Sequence, residues 1–408
     1  MPSATFVIGK FEFRDADYRQ VLLWAEALKL DPVVVIERLE SGVVFDRKGV
    51  KLEFAVQDGA IVSLTWDFDL LPLSEFEWVD GLAIRELGFK TPPATPPALS
   101  LRLPELLWLQ CPDINLTVLD LSNTPKLVKM VCAENHLHDL DLSKVPRLTH
   151  LECDKNYLTK LDLSSLPNLV KLYCSGNELD ALDLSGVRGL TWLVCCYNNL
   201  KELDLSGAPE LIHLMCRHNL LTKLDLSNPQ LAILVCIGNQ LASLDLSNVP
   251  ALVDLSCHGN RLTALDLSNV QHLKILGCAN NLLTELDLSN LPELTGFECC
   301  NNQLTRLDLS VVPNLDDLWC VHNQLTELDL SKVTALTELL CTENQLTELD
   351  VRQLEKLAIL ECDPTVVVKK RPTQSFIKEQ EKWDANAGPL YDLNGKVVWS
   401  GRWQAATS

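Results

Sequence analysis

One 21-residue phrase recurs along most of the chain, and it constrains the fold more than any other feature. A clean copy is LTHLECDKNYLTKLDLSSLPN, and the consensus is LxxLxCxxNxLxxLDLSxxPx. The copies open at Leu106, Leu127, Leu148, Leu169, Leu190, Leu211, Leu231, Leu252, Leu273, Leu294, Leu315, Leu336 and Leu357. Every spacing is 21 residues except the 20 between Leu211 and Leu231, and the last copy decays after Cys362. A fixed period of this length predicts a solenoid in which each repeat stacks on its neighbours.

The pattern within one repeat predicts two extended segments joined by a corner. Leu at position 4 and Cys at position 6 alternate with variable residues at positions 3, 5 and 7, which is typical of a strand with one buried face. The LDLS segment predicts a second short strand on the opposite side. The Asn at position 9 suits the corner, because its amide can hydrogen-bond the backbone of the loop and of the next coil. We therefore expect a leucine-rich repeat solenoid, a flattened right-handed coil with a parallel concave β-sheet and short convex strands.

The flanking sequence predicts a small α+β domain with its linker at residues 1–98, before a solenoid at residues 99–365. Asp15 or Asp17 is expected to cap a helix that runs to about Leu30. Strands are then expected at Gly42–Phe45, Val50–Val56 and Ala60–Trp66, with a hairpin turn at Asp58-Gly59 between the last two. We expect this domain to pack on the first coil and shield its open edge, with Thr91–Pro97 as a stiff connector.

Residues 366–408 are expected to cap the last coil. A basic patch, Lys369-Lys370-Arg371, precedes a helical pattern over Thr373–Asn386. The segment Gly388–Trp403 looks like one MORN-type hairpin, with its turn at Asn394-Gly395. The alternative is a docking element for a peripheral membrane surface, which the basic patch would favour.

Composition narrows the class of partner. The formal net charge is −20, which argues against nucleic acid because phosphate binding needs a basic face. No apolar run reaches the ~20 residues that span a membrane, and the start of the sequence lacks the basic and apolar regions of a signal peptide. We therefore expect a cytoplasmic protein, or one delivered into another cell by a non-Sec route.

Thirteen of the fifteen cysteines occupy position 6, from Cys111 to Cys362. Such a column predicts buried free thiols, which fit a reducing compartment. One thiol per coil does not provide the converging ligands of a zinc site, so no metal and no cofactor is expected. Cys196 and Cys300 stand at position 7, where we expect them to face solvent.

An aspartate recurs at position 15 in twelve repeats, from Asp120 to Asp350. Carboxylates stacked ~4.8 Å apart would repel by ~3.5 kcal/mol at an effective dielectric of 20. We expect Thr at position 12, Ser at position 17 and nearby backbone N–H groups to offset this repulsion. The alternative is a hard cation along the column, most plausibly near Glu285, Glu327 and Glu348.

The consensus closely resembles the IRREKO class of bacterial leucine-rich repeats, which are 21-residue units with the same Cys, Asn and LDL. The match covers about 260 of 408 residues. It implies a bacterial solenoid that binds other macromolecules, usually protein. It does not imply a particular partner, because the variable residues choose it.

The variable positions of the middle repeats are apolar and aromatic, as a protein interface would be. We therefore predict a non-enzymatic scaffold that recognises a protein through the concave face of repeats 3–9. The expected contacts are Tyr173, Trp192, Val194, Tyr197, His213, Met215, Arg217, Ile233, Val235, Ile237, Asp254 and Trp319.

Two other classes of function stay open. One is a bacterial effector or toxin-associated protein, in which the repeats select a target and the N-terminal domain acts. The other is an enzyme, either within residues 1–98 or through a cysteine nucleophile near His218, His258 or His322. A pair formed by Cys300 and His322 on adjacent coils would be the simplest arrangement.

Overall fold

The structure is a computed structural model that describes residues 5–41, 44–45, 51–52, 54–67, 81–90, 98–376, 390–391 and 397–398. The chain divides into two compact units, a first unit of Met1–Asn199 and a second unit of Leu200–Ser408. Each unit contains coils of a leucine-rich repeat solenoid with a parallel sheet, which confirms the predicted fold class.

The first unit begins with a mixed region of short strands and two helices. The helices are Asp15–Leu28 and Pro32–Ser41. The strands before the first coil are Thr5–Ile8, Phe11–Arg14, Val44–Phe45, Lys51–Leu52, Ala55–Gln57, Ala60–Asp67, Glu86–Lys90 and Ala98–Ser100. Thr5–Ile8 pairs antiparallel with Phe11–Arg14, a hairpin that was not predicted from the sequence.

The first helix is where the sequence predicted it, but its cap is not. Arg14 is the N-cap residue and makes no side-chain capping hydrogen bond, so capping by Asp15 or Asp17 is wrong. Asp17 is instead buried, and its Oδ1 accepts the Ile61 N–H at 3.0 Å. The second helix was missed. Its start at Pro32 is favourable because proline lacks the N–H that a first helical residue leaves unpaired.

The predicted hairpin at Asp58-Gly59 is confirmed. Ala55–Gln57 pairs antiparallel with Ala60–Asp67, and both turn residues have positive φ, 51° and 74°. Ala60–Asp67 pairs parallel with Glu86–Lys90, which in turn pairs parallel with Trp108–Gln110 of the first coil. The N-terminal region therefore continues the repeat sheet and covers the edge of the first coil.

Each coil adds one three-residue strand at positions 3 to 5. In the first unit these strands are Trp108–Gln110, Lys129–Val131, His150–Glu152, Lys171–Tyr173 and Trp192–Val194. In the second unit they are His213–Met215, Ile233–Val235, Asp254–Ser256, Ile275–Gly277, Gly296–Glu298, Asp317–Trp319, Glu338–Leu340 and Ile359–Glu361. Within each unit, neighbouring strands are parallel and pair position by position.

The LDL side is less regular than predicted. Val118–Asp120 pairs with Ala98–Ser100, and Glu348–Asp350 pairs with Val367–Lys369. The other LDL segments in the described residues form no strand. Most of them end at a turn, where the aspartate side chain accepts the backbone N–H of the residue two positions later, as in Asp141 and Ser143 at 2.9 Å. Asp120, at the end of an LDL strand, makes the same bond with Ser122.

The position-9 asparagine holds adjacent coils together, as predicted, although its partner is the preceding coil rather than the next one. Asn281 Nδ2 donates to the carbonyls of Cys257 and Cys278 at 3.1 and 3.0 Å. Its Oδ1 accepts the Leu262 N–H at 3.0 Å. Asn156 makes the same three contacts in the first unit.

Residues 366–376 continue from the last coil and pack on the repeat before it, which opens at Leu336. Val367–Lys369 pairs with the LDL strand Glu348–Asp350 of that repeat, and Gln374 Nε2 donates to the carbonyls of Val351 and Leu354 at 2.9 and 3.0 Å. The predicted helix Thr373–Asn386 is not formed over residues 373–376, and its remainder lies outside the described residues.

Two other predicted segments lie wholly or partly outside the described residues. For the MORN-like hairpin, Leu390–Tyr391 pairs antiparallel with Val397–Val398, but its turn is not among them. The connector Thr91–Pro97 is not among them either. Within the described ranges, no helix has the length and apolar character needed to cross a bilayer.

Candidate protein-binding surface

The side chains at positions 3, 5 and 7 form what we call the sheet surface of each unit. In the first unit it carries an aromatic pair. The Tyr173 and Trp192 rings lie 6.3 Å apart, and Lys171 Nζ lies 5.2 Å from the centre of the Trp192 ring. Tyr173 is half-buried, whereas Trp192 is 7% exposed, so the edge of this pair rather than its full area is accessible.

Tyr197 is the most accessible of the predicted contacts, with 54% of its surface exposed. It stands at position 8, where its φ is +54°. Positive φ recurs at this position, and Gly176, Gly238, Gly259, Asn280 and Asn301 are the sequence signal that could have predicted it. Val194, on the preceding strand, is half-buried.

In the second unit several predicted contacts are buried. Val235 and Ile237 are fully buried, and Asp254, Ile233 and Met215 are 2%, 8% and 9% exposed. Their expected exposure is therefore wrong. The register explains much of it, because Val235 has Met215 on one side and Ser256 on the other. His213 and Arg217 are half-buried, so they keep some accessible surface.

Trp319 is also buried, in a cluster with Ala279, Cys300 and Leu340. Cys300 is 8% exposed and Cys196 is 4% exposed, so the expectation that both thiols face solvent is wrong. Large side chains on strands this close cover the small ones between them. Burial also raises the pKa of the Cys300 thiol far above its usual range, which makes it a poor nucleophile.

A buried polar group in the second unit was not predicted as a site. Ser256, Gly277 and Glu298 occupy position 5 of three successive coils, and His258 lies beside them at position 7. Ser256 and His258 are 0% and 1% exposed, and Glu298 is 8% exposed. Burial raises the pKa of Glu298 to about 8 and lowers the pKa of His258 to about 4. The sequence signal that could have predicted this site is Gly277 at position 5, together with His258 at position 7 of the preceding coil.

The aspartate column is held by the residues that follow it. Serine at position 17 donates its backbone N–H to the aspartate Oδ1, at 2.9 Å for Ser268 and Asp266. Hydrogen bonding by Ser268 is the main reason that the pKa of Asp266 is lowered. For Asp245, hydrogen bonding by Ser247 lowers the pKa, and repulsion from Asp266, which raises it, is the smallest contribution. The offset predicted from Ser at position 17 is thus confirmed.

None of the fifteen cysteines forms a disulfide, and burial raises the pKa of eleven of the thirteen thiols in the column, as for Cys132 to about 12. Among the described residues, no group of three or more His, Cys, Asp or Glu side chains is arranged to hold a metal ion.

The basic patch after the last coil is engaged by neighbouring side chains. Lys369 pairs with Glu348 at 2.7 Å, and Arg371 pairs with Glu355 at 2.9 Å. Lys370 Nζ lies 5.6 Å from the centre of the Phe376 ring. The two ion pairs tie the segment to the repeat that opens at Leu336.

Comparison with known proteins shows likeness at the level of structure. The functional domain of InlJ from Listeria monocytogenes, which includes a cysteine ladder, has a TM-score of 0.58 and 35% identity. The match covers 62% of each chain, so this chain spans less than two thirds of that domain. The chain is similar to bacterial leucine-rich repeat proteins.

Two further matches show the fold alone. The internalin InlF from Listeria monocytogenes has a TM-score of 0.53 and 22% identity, over 69% of this chain and 82% of that one. The leucine-rich repeat domain of APL1 has a TM-score of 0.58 and 19% identity, over 76% and 97%. No protein-family model matches the chain, and no curated protein matches it.

Proposed function

We propose that this chain is a non-enzymatic scaffold of the IRREKO class that binds a protein through the concave face of repeats 3–9. The observation that carries the proposal is the accessible aromatic edge of the first unit. Tyr197 is 54% exposed there, on the coil that also bears Trp192 and Val194. Large aromatic side chains dominate the binding energy of protein interfaces, and a solvent-facing sheet does not need them.

The buried members of the predicted site take a different role in this proposal. Val235, Ile237 and Trp319 are buried in the sheet surface of the second unit, and a partner would contact Tyr197 and Tyr173 of the first unit. The column of free thiols supports a cytoplasmic location, because oxidising compartments favour disulfides.

The proposal is tested by substituting Tyr197 and a matched tyrosine away from the sheet surface. Tyr157 is 41% exposed and stacks on His136 and His138, with ring centres 5.7 and 5.2 Å apart. Immobilised full-length chain would capture the partner from the source cells, and calorimetry would then measure its affinity for each variant. We expect Tyr197→Ala to weaken binding by about 2 kcal/mol and Tyr157→Ala to leave it unchanged. Equal affinities for both variants would reject the site.

The second candidate is a bacterial effector whose N-terminal region acts on a target that the repeats select. Glu86–Lys90 pairs with Trp108–Gln110, so the N-terminal region and the first coil would reach a target together. Within the N-terminal region, a groove of about 220 Å³ is lined by Ile8, Gly9, Lys10, Phe11, Val33, Ile36 and Glu37. Filling it with Val33→Arg should abolish an effect on target cells while partner capture persists; loss of neither favours the scaffold.

A further inference from the structure

The charged side chains on the sheet surface of the last six coils are acidic. From Leu252 to Asp363, positions 3, 5 and 7 carry no lysine and no arginine. The carboxylates at positions 3 and 5 are Asp254, Glu298, Asp317, Glu338 and Glu361. A surface with this charge is complementary to a basic ligand rather than an acidic one.

Glu298 lies at the centre of this charge, beside a position that has no side chain. Gly277 pairs with Ser256 on one side, and Gly277 and Glu298 occupy the same position of adjacent coils. The His258 ring lies over Gly277, so closely that a Cβ there would be 2.1 Å from His258 Nε2. A side chain on residue 277 would therefore displace the imidazole.

The backbone fixes which nitrogen of His258 carries the proton. The Ala279 N–H donates to His258 Nδ1 at 3.2 Å, so the neutral ring has its proton on Nε2. That Nε2 makes no hydrogen bond to the described residues, is enclosed with a ring that is 1% exposed, and lies 3.8 Å from Glu298 Oε2. A buried N–H donor is thus aimed at a carboxyl group without yet bonding to it.

We propose that Glu298 is a binding residue for a primary ammonium group, such as a lysine side chain of the protein partner, and that His258 is its positioning residue. The inference rests on the proposed scaffold function and names the chemistry of its ligand. The Glu298 side chain keeps 11% of its surface exposed, and a ligand would reach the carboxylate through this surface. His258 Nε2–H donates to Oε2 once the carboxylate is charged.

The chemistry of this site couples binding to loss of one proton. With no cation beside it, burial keeps the Glu298 carboxyl protonated at neutral pH, because its pKa is about 8. An ammonium ion binds the carboxylate form, so the carboxyl proton leaves to solvent when the ligand arrives. The ligand remains charged throughout, since an exposed lysine has a pKa near ~10.4.

The other titratable groups near Glu298 come from its own coil, from the two coils before it and from the coil after it. His258 has its pKa lowered to about 4 by burial, so it stays neutral above pH 6. The thiols of Cys278 and Cys300 have their pKa values raised well above the neutral range. Asp254 and Asp317 are the nearby carboxylates at position 3. Glu298, with its pKa raised to about 8, is the group assigned to the titration below pH 8, and the Glu298→Gln variant separates it from the two aspartates.

The experiment uses the full chain and a fluorescent Gly/Ser peptide that carries lysines, with the ε-acetylated peptide as its neutral counterpart. Anisotropy gives the affinity at pH 6, 7, 8 and 9. We expect affinity for the lysine peptide to rise about tenfold per pH unit up to pH 8 and then level off. Attraction to the acidic surface in general would be flat over this range, and a flat profile, or equal binding of the acetylated peptide, overturns the proposal.

Three variants distinguish the roles of the named residues from a general effect on the fold. Glu298→Gln should weaken binding at least tenfold at pH 8 and abolish the pH dependence. Gly277→Ala should displace His258 and move the rise in affinity to higher pH. Its control is Gly296→Ala, whose added Cβ would meet only Ile275 Cγ1 at an ordinary 3.9 Å and should leave the profile within twofold of wild type.

Thermal melts of each variant establish that it folds. If Gly277→Ala does not fold, His258→Gln replaces it, and its profile should shift in the same direction. A profile in Glu298→Gln that matches wild type overturns the assignment. This result is independent of the Tyr197 experiment, which tests the scaffold with its own partner and in the first unit.

Discussion

The two units share one scaffold and differ in what they place on the sheet surface. In the first unit, lysines lie over tryptophans, Lys129 over Trp108 at 5.8 Å and Lys171 over Trp192 at 5.2 Å. In the second unit, the last six coils have no lysine or arginine at positions 3, 5 and 7, and they bury an acid, Glu298, beside a neutral histidine. The same backbone register thus supports two chemically different surfaces.

The difference shows which residues report fold and which report recognition. Position-4 leucine, position-6 cysteine and position-9 asparagine make equivalent contacts in both units, as Asn156 and Asn281 illustrate. The side chains at positions 3, 5 and 7 make no such repeated contacts, yet many of these side chains are buried because those of neighbouring coils cover them. Substitutions at these positions are therefore expected to change stability as well as the chemistry of the sheet surface.

The largest expected effect tests whether the scaffold is equivalent in the two units. Asn156→Ala and Asn281→Ala each remove a buried amide that donates to three carbonyls and accepts one N–H. We expect each to lower the free energy of unfolding by about 3 kcal/mol, because the abandoned backbone groups stay buried. Denaturant titration measures both. A difference above about 1 kcal/mol would mean that the units do not share one scaffold energetically.

The next effect concerns the buried acid of the second unit and its pH dependence. The folded pKa of Glu298, about 8, lies above its ordinary 4.5, so between these values the folded chain holds a proton that the unfolded chain has lost. Stability therefore falls as pH rises through this window. His258 acts in the opposite sense between pH 4 and 6.5, because its folded pKa of about 4 lies below its ordinary 6.5.

The two contributions oppose each other below pH 6.5, and only that of Glu298 remains from pH 6.5 to 8. There the free energy of unfolding should fall by about 1.4 kcal/mol per pH unit relative to Glu298→Gln. Glu293→Gln is the control, because hydrogen bonding by His272 lowers the pKa of Glu293 and leaves it ionised across the window. Parallel stability curves for wild type and Glu298→Gln would contradict the buried acid.

The sequence predicted the periodic part of this molecule well and the aperiodic part less well. Twelve near-identical phrases average out local ambiguity, so the sheet and the asparagine contacts follow from one repeat. The helix Pro32–Ser41 was missed because a run of valines favours a strand locally, whereas its helix buries Val35, Ile36 and Leu39. In this segment, burial of the apolar side chains outweighs the local preference of valine for a strand.

The binding surface was harder to predict because exposure is not a property of one repeat. The two-residue alternation correctly places Val235 on the outer side of its strand, but its burial depends on the residues of adjacent coils. The Glu298 site depends on a glycine in one coil, a histidine in the coil before it and an acid in the coil after it. Such a combination is visible only once the register is known.

The smallest effect sharpens the comparison from the side of the first unit. Lys171→Gln removes the cation over the Trp192 ring but keeps most of the aliphatic side chain. We expect a loss of about 0.5 kcal/mol in the free energy of unfolding, since such contacts are weak where the lysine is partly exposed. A double-mutant cycle with Trp192→Leu isolates the contact between the lysine and the ring. Lys274→Gln is the control, because Lys274 lies in the second unit, at position 2 of its repeat, and pairs only weakly with Glu293 at 3.8 Å. A coupling of zero would mean that Lys171 does not stabilise the fold through the tryptophan beneath it.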